Sequence, residues 1–260
     1  MSRRKKEGIC HICGTEGPLS KEHIPPKKAF NNCTVFLHRF TEIRDTGVTK
    51  WQKEQRQGGN YAYVLCEKCN NDTGSWYADE YVKFAHALAP LSSTERVGHR
   101  VGIVFRKLKP LQVTKQAIAI MCTTCGPDFS KKHPHLKKFL LSKHKRGLPH
   151  HLHLFAYLRC QPGMRTSGIA GQLDLRGNNK VVAEFSCWPV GWILAFDDHR
   201  DILAAEVTHW ASCEFDESQQ VQIQMPCHWT ATKYPMDFRS PAQVERQAEQ
   251  SQKHYKERKR

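Results

Sequence analysis

Two pairs of cysteines, Cys10-His11-Ile12-Cys13 and Cys66-Glu67-Lys68-Cys69, stand about fifty residues apart. A two-residue gap lets one tight turn present both sulfurs to a single ion. Two such pairs can therefore supply the four thiolates of a tetrahedral structural zinc site. Gly14 and Gly17 suit the turn after the first pair. A thioredoxin-like redox role would need a surrounding βαβ pattern, which is missing here. A different chemistry lies between and after the pairs. Ser20-Lys21-Glu22-His23-Ile24-Pro25-Pro26 follows the first, and Asn70-Asn71-Asp72 follows the last cysteine directly. A histidine near its ordinary pKa can take a proton from water at neutral pH. Carboxylate and amide oxygens are hard ligands that suit Mg²⁺ or Mn²⁺. An activated water, a charge sink and help for the leaving oxygen are what phosphodiester hydrolysis requires.

The order Cys10, Cys13, Glu22-His23, Cys66, Cys69, Asn70 resembles the HNH, or ββα-metal, endonuclease superfamily, and within it the recombination endonuclease VII type. The resemblance covers about residues 8 to 90. It implies an N-terminal zinc-stapled ββα-metal core with Cys10, Cys13, Cys66 and Cys69 around a structural zinc. It further implies His23 as general base, with Glu22 and Asn70 holding one catalytic Mg²⁺ or Mn²⁺ against the scissile phosphate. The products would carry 5′-phosphate and 3′-hydroxyl ends. Three departures stand beside the match. Glu22 occupies a position where aspartate is commoner, and the stretch from His23 to Cys66 is longer than a minimal hairpin. The central asparagine of the HNH name has no clear counterpart, with Asn60 as a candidate. Asn71 competes with Asn70 for the metal. Lys27 and Lys28 are candidates for positioning phosphate, and His11 is expected to be exposed rather than a ligand.

The elements that must carry these residues can be read from periodicity. Thr34–Phe40, Val48–Gln55 and Tyr61–Leu65 read as strands, with Gly58-Gly59 closing the turn before the last. From Trp76 to Ala89, Trp76, Tyr77, Tyr81, Phe84, Ala85 and Leu88 recur at helical spacing, and Pro90 marks the stop. A strand over Val101–Phe105 follows, then helices from about Leu111 to Cys122 and from Pro134 to Lys145. After Pro149 the pattern turns to β, in runs around residues 151–160, 171–175, 181–187, 191–196, 207–215 and 221–227. These predict an antiparallel sheet or open barrel covering the helices. The fold class is thus α+β: an HNH core over 1–90, a mixed helical and antiparallel-β domain over 91–240, and a basic tail over 241–260 that frays or forms a helix. Cys122 and Cys125 form a further CxxC, but Cys122 ends an apolar helical pattern and reads as a buried free thiol.

Bulk composition narrows the partners. The net charge is +15, and the stretch from Arg106 to Arg146 holds eleven Lys or Arg against one acid, Asp128. Concentrated positive charge attracts a phosphate backbone, so nucleic acid, and DNA in particular, is the expected partner, with this stretch making backbone contacts. No apolar run is long enough to span a bilayer, and no apolar stretch follows the charged start, so a reducing cytoplasm and no membrane are expected. There, eleven cysteines suit metal ligation and burial better than disulfides. The leading expectation is a metal-dependent DNA endonuclease, by analogy of context in bacterial restriction or anti-phage defence. The alternatives are a zinc-dependent nucleic-acid-binding protein without activity, or a nuclease effector or toxin switched on by a protein partner or ligand through residues 91–240.

Overall fold

The computed structural model describes residues 6–37, 54–173, 179–197 and 201–258. They form a mixed α+β chain that groups into two compact units. The first comprises Met1–His86, Lys109–Gly147 and Ala211–Glu217, the second Ala87–Leu108, Leu148–Trp210 and Ser218–Arg260.

The first unit begins with two antiparallel strands, β1 (Lys6–Ile9) and β2 (Glu16–His23), joined through the turn that holds Cys10 and Cys13. A short ribbon, β3 (Val35–Leu37) with β4 (Glu54–Arg56), stands apart; the remainder of the two strands expected over 34–55 lies outside the described residues. β5 (Tyr61–Cys66) returns along β2, giving the order β1-β2-β5. Helix α1 (Glu67–Leu88) begins at the very next residue. Its expected apolar face is realised: Tyr77, Tyr81, Phe84, Ala85 and Leu88 are buried, and Trp76 is half-buried.

After strand β6 (Arg100–Leu108), which belongs to the second unit, helix α2 (Pro110–Cys125) returns to the first. The buried Glu80 carboxylate of α1 accepts the Lys109 N–H at 3.0 Å, which places an anion at the positive end of α2. α2 is buried over nearly its whole length. It ends at Gly126, whose φ of +91° suits glycine. Two short helices follow, α3 (Pro127–Lys132) and α4 (Pro134–Leu141). α3 was not foreseen. α4 is shorter than the helix expected to Lys145, because Ser142 turns extended and the polar stretch 142–147 offers no apolar face to bury.

The second unit is built on a seven-stranded sheet of order β6-β12-β7-β10-β9-β8, with β11 on β7. Here β7 is Leu152–Arg159, β8 Met164–Leu173, β9 Asn179–Cys187, β10 Val190–Phe196, β11 Ala205–Glu206 and β12 Gln219–His228. The expected antiparallel pairing holds except where β12 runs past β6 and pairs in parallel with the end of β7, Cys227 beside Leu158. One expected strand is wrong. Residues 207–215 hold a 3-10 turn over Thr208–Ser212, because the Thr208 hydroxyl accepts the Leu154 N–H at 2.9 Å and Trp210 N–H turns back to Val207 O. The apolar pattern there serves a turn that buries Val207, Trp210 and Ala211. The tail is helical over Pro241–Arg258 (α5). Among the described residues no helix is long and apolar enough to cross a membrane.

Candidate metal centre and active site

The turn between β1 and β2 and the junction of β5 with α1 meet at four sulfurs. Cys10 and Cys13 come from the first, Cys66 and Cys69 from the second. The register Leu19↔Cys66 sets one beside the other. The four Sγ atoms lie within 4.8 Å of one another, and Cys13 Sγ stands 3.8 Å from Cys66 Sγ. Tetrahedral zinc with Zn–S bonds of about 2.3 Å sets its sulfurs about 3.8 Å apart, so the cluster fits such an ion. It does not fit a disulfide, whose sulfurs bond at about 2.05 Å. A hydrogen bond from the Cys69 thiol, helped by backbone N–H groups, holds Cys10 down at about 4, while Cys69 itself is pushed up. Burial also raises Cys66. Four thiolates cannot share this spot without a cation, and a zinc ion would offset their repulsion.

The first-pair turn is fastened from outside the cluster. His11 is half-buried rather than exposed, with Nδ1 at 2.9 Å from Thr123 O of α2. The Ser130 hydroxyl of α3 donates to His11 O, and Lys137 Nζ of α4 donates to Cys13 O at 2.6 Å. Cys122 is fully buried and Cys125 half-buried, and burial pushes both thiols up to about 12. Among the described residues neither joins a cluster of metal-ligating side chains, in keeping with the sequence reading of Cys122 as a buried free thiol.

Beyond the cluster, β2 carries Lys21, Glu22 and His23 toward its end. The sheet register is interrupted between Ser20 and Lys21, and Glu22 and His23 then stand opposite Ala62 and Tyr61. Asn70, in the first turn of α1, reaches this strand: its Nδ2 donates to Ser20 Oγ at 2.9 Å and to Lys21 O at 3.0 Å. Both bonds use its N–H donors, so its carbonyl oxygen is the atom left to offer as a ligand. Asn71 is exposed on the next position of the helix. Glu22 is half-buried, and desolvation pushes its carboxyl up to about 7. His23 is shifted below its ordinary range, first by desolvation and then by the charges of Lys21 and Lys27, against a backbone hydrogen bond to Gly58. Its ring stands 5.9 Å from that of Tyr61, over which Lys21 Nζ lies at 3.9 Å.

Neither a scan of protein-family models nor searches of curated proteins and solved structures find a match to this chain. What the site can do rests on its own chemistry.

One residue of this neighbourhood went unseen in the sequence. Asn31 is buried, and its Nδ2 donates to Pro25 O at 2.7 Å and to Asn60 O at 2.8 Å, while its Oδ1 accepts the Asn60 N–H at 2.6 Å. Asn60 Nδ2 in turn donates to Ile24 O at 3.1 Å. The two asparagines thus tie the segment after His23 to the turn that contains Gly58. Gly59 must be glycine there: its φ is +102°, and a Cβ would stand 2.0 Å from Asn31 O. Lys28 is exposed, and its carbonyl oxygen lies 2.9 Å from His86 Nε2. An Asn-Asn dipeptide after a Pro-Pro turn carries no spacing signal, so only the fold marks Asn31.

Proposed function

We propose that the N-terminal part of this chain is an HNH (ββα-metal) nuclease core that hydrolyses phosphodiester bonds of nucleic acid, with DNA as the expected substrate. The observation that carries the reading is the bond of Asn70 to the backbone of Lys21. It seats the first helical residue after the second cysteine pair beside the strand that bears Glu22 and His23. A zinc-fitting cysteine cluster behind that junction holds strand and helix in this relation.

In this reading the His23 ring is oriented by the Gly58 carbonyl, which leaves the other ring nitrogen to accept a proton. Desolvation and the charges of Lys21 and Lys27 shift the imidazole toward its neutral form, the state a general base needs. Water attacks phosphorus, its proton passes to His23, and the bond from phosphorus to the 3′ oxygen breaks, that oxygen taking up a proton from solvent water. The ends are a 5′-phosphate and a 3′-hydroxyl. The Glu22 carboxylate and the Asn70 carbonyl oxygen are hard donors that would hold a Mg²⁺ or Mn²⁺. Such an ion would supply charge neutralisation at the phosphate and the leaving oxygen. A buried carboxyl shifted upward is a group that gains most from a neighbouring cation, which agrees with that assignment. Lys21 and Lys27 bring positive charge to where an anionic substrate must come.

The test is a cleavage assay on plasmid, linear duplex, single-stranded DNA and RNA, with Mg²⁺ or EDTA, beside His23→Ala. Cutting that requires the divalent ion and is lost in His23→Ala is expected. Equal cutting by His23→Ala would overturn the mechanism, and no cutting of any substrate would favour a zinc-dependent binding protein.

A further inference from the structure

The stretch from Arg106 to Arg146 is basic in sequence, but its charges have different fates. Lys115 is fully buried within α2, where its Nζ donates to Phe139 O at 2.5 Å and Ser142 O at 2.7 Å. Arg146 is paired with Glu214. Arg106 and Lys107 lie on β6, in the second unit. Lys109 faces the Asp216 carboxylate at 3.9 Å. What remains is a group of six exposed lysines: Lys131 and Lys132 at the end of α3, Lys137 and Lys138 on α4, and Lys143 and Lys145 just after it. Among the described residues none of the six pairs with a carboxylate.

These helices owe their orientation to their apolar side. Phe129 is buried under α3, and Leu136, Phe139 and Leu140 under α4, which leaves the lysines outward. No large hydrophobic residue of 127–146 is exposed, so the face offers charge without apolar anchors. An amphipathic membrane contact would need such anchors. The face is also fixed to the zinc-fitting turn at three points, through Thr123, Ser130 and Lys137. Cys69 of the cluster and Asn70 are neighbours in the first turn of α1, so the lysines are mounted on the same junction as the proposed active site.

We infer that the outer face of α3 and α4, with the turn after it, is a docking surface for the phosphate backbone of duplex DNA. This deepens the nuclease reading and rests on it for the choice of nucleic acid over other polyanions. The two helices are about 9 and 12 Å long, enough to meet phosphates over several base pairs at about 3.4 Å each. Contacts of this kind fix where the duplex lies without selecting its sequence. The α2 helix, whose one basic residue is the buried Lys115, takes no part.

The test uses the full chain carrying His23→Ala, so that binding is read without cutting. Affinity for a short duplex is measured across about 50 to 300 mM salt, where the logarithmic slope counts neutralised phosphates. Lys131→Gln, Lys132→Gln, Lys138→Gln and Lys145→Gln combined should lower the slope by about 2 to 4 and weaken binding at least tenfold at low salt. The four matching changes to arginine should keep the parental slope. Zinc content and thermal melting check that the glutamine variant is folded. A folded glutamine variant with the parental slope and affinity overturns the docking surface. So does an equal loss of binding to vesicles rich in anionic phospholipid that bind more tightly than the duplex. The nuclease reading fails separately: a lost slope with no metal-dependent cutting by the otherwise wild-type chain leaves the surface standing and removes the active site.

Discussion

Asn31 and Asn60 hold each other in a reciprocal pair of hydrogen bonds, Asn60 N–H to Asn31 Oδ1 at 2.6 Å and Asn31 Nδ2 to Asn60 O at 2.8 Å. Between them they close the segment that leaves β2 after His23 onto the turn that contains Gly58. Asn31→Ala leaves the Pro25 and Asn60 carbonyls and the Asn60 N–H without their partner. A loss of about 1 to 3 kcal/mol in urea unfolding is expected. If the nuclease reading holds, cutting should fall further than folding does, because His23 loses its orientation. Unchanged cutting in a destabilised variant would make the pair purely structural.

Gly59→Ala tests the same junction from the backbone. The positive φ and the approach of Asn31 O both oppose a Cβ, so the variant should melt at lower temperature than the parent, at a cost of about 1 to 3 kcal/mol. Gly98→Ala is the comparison, since it also has a positive φ, +81°, but open space around the added methyl group. The Gly59 change should be the more damaging.

Metal analysis of the purified chain should find about one tightly held zinc, released by strong chelators or by Cys69→Ser. Because the cluster ties the turn before β2 to the junction of β5 with α1, its loss should lower the melting temperature of the first unit. The bond of Asn70 to Lys21 O should loosen with it, which amide exchange at the start of α1 would report. Full stability after zinc removal would sink the structural role.

Lys115 gives a pH dependence whose sign follows from burial. Desolvation pulls its ammonium down to about 7 from an ordinary value of 10.5. Between those values the unfolded chain binds more protons at this site than the folded one, so its contribution to stability rises with pH. The stability is fully present only above the ordinary value and is lost as pH falls toward 7. Comparing urea midpoints of the parent and Lys115→Met from about pH 7 to 9.5 should show the parent gaining relative to the variant. A gap that is constant with pH would show that the two carbonyl partners hold the ammonium charged throughout.

In the second unit, Glu184 is fully buried on β9 and accepts Arg165 Nη2 at 2.6 Å, the Tyr157 hydroxyl, and the Met236 N–H at 2.7 Å. Glu184→Leu leaves the Arg165 charge buried without its counter-ion. Destabilisation of about 3 to 5 kcal/mol is expected. The double variant Glu184→Leu with Arg165→Met should recover part of it. A single variant as stable as the parent would mean that Arg165 finds another partner.

The sequence by itself determined the features set by local spacing. Two CxxC pairs specify a four-sulfur shell because a tight turn presents both thiols of a pair, and the shell forms. The apolar period of residues 76–89 specifies the buried face of α1, because each period of 3.6 returns a side chain to the same side. The alternating runs after Pro149 specify most strands of the larger sheet. Tertiary structure alone decided what depends on partners distant in sequence. Val207–Phe215 alternates like a strand, yet the Thr208 hydroxyl meets the Leu154 N–H and turns the chain. Lys115 looks like one more surface charge until α2 packs on every side. Asn31 has no pattern to mark it, since its role lies in bonds to residues 25 and 60. The six outward lysines were visible only as part of a basic stretch; which charges reach solvent was settled by which sides of α2, α3 and α4 had apolar surface to hide.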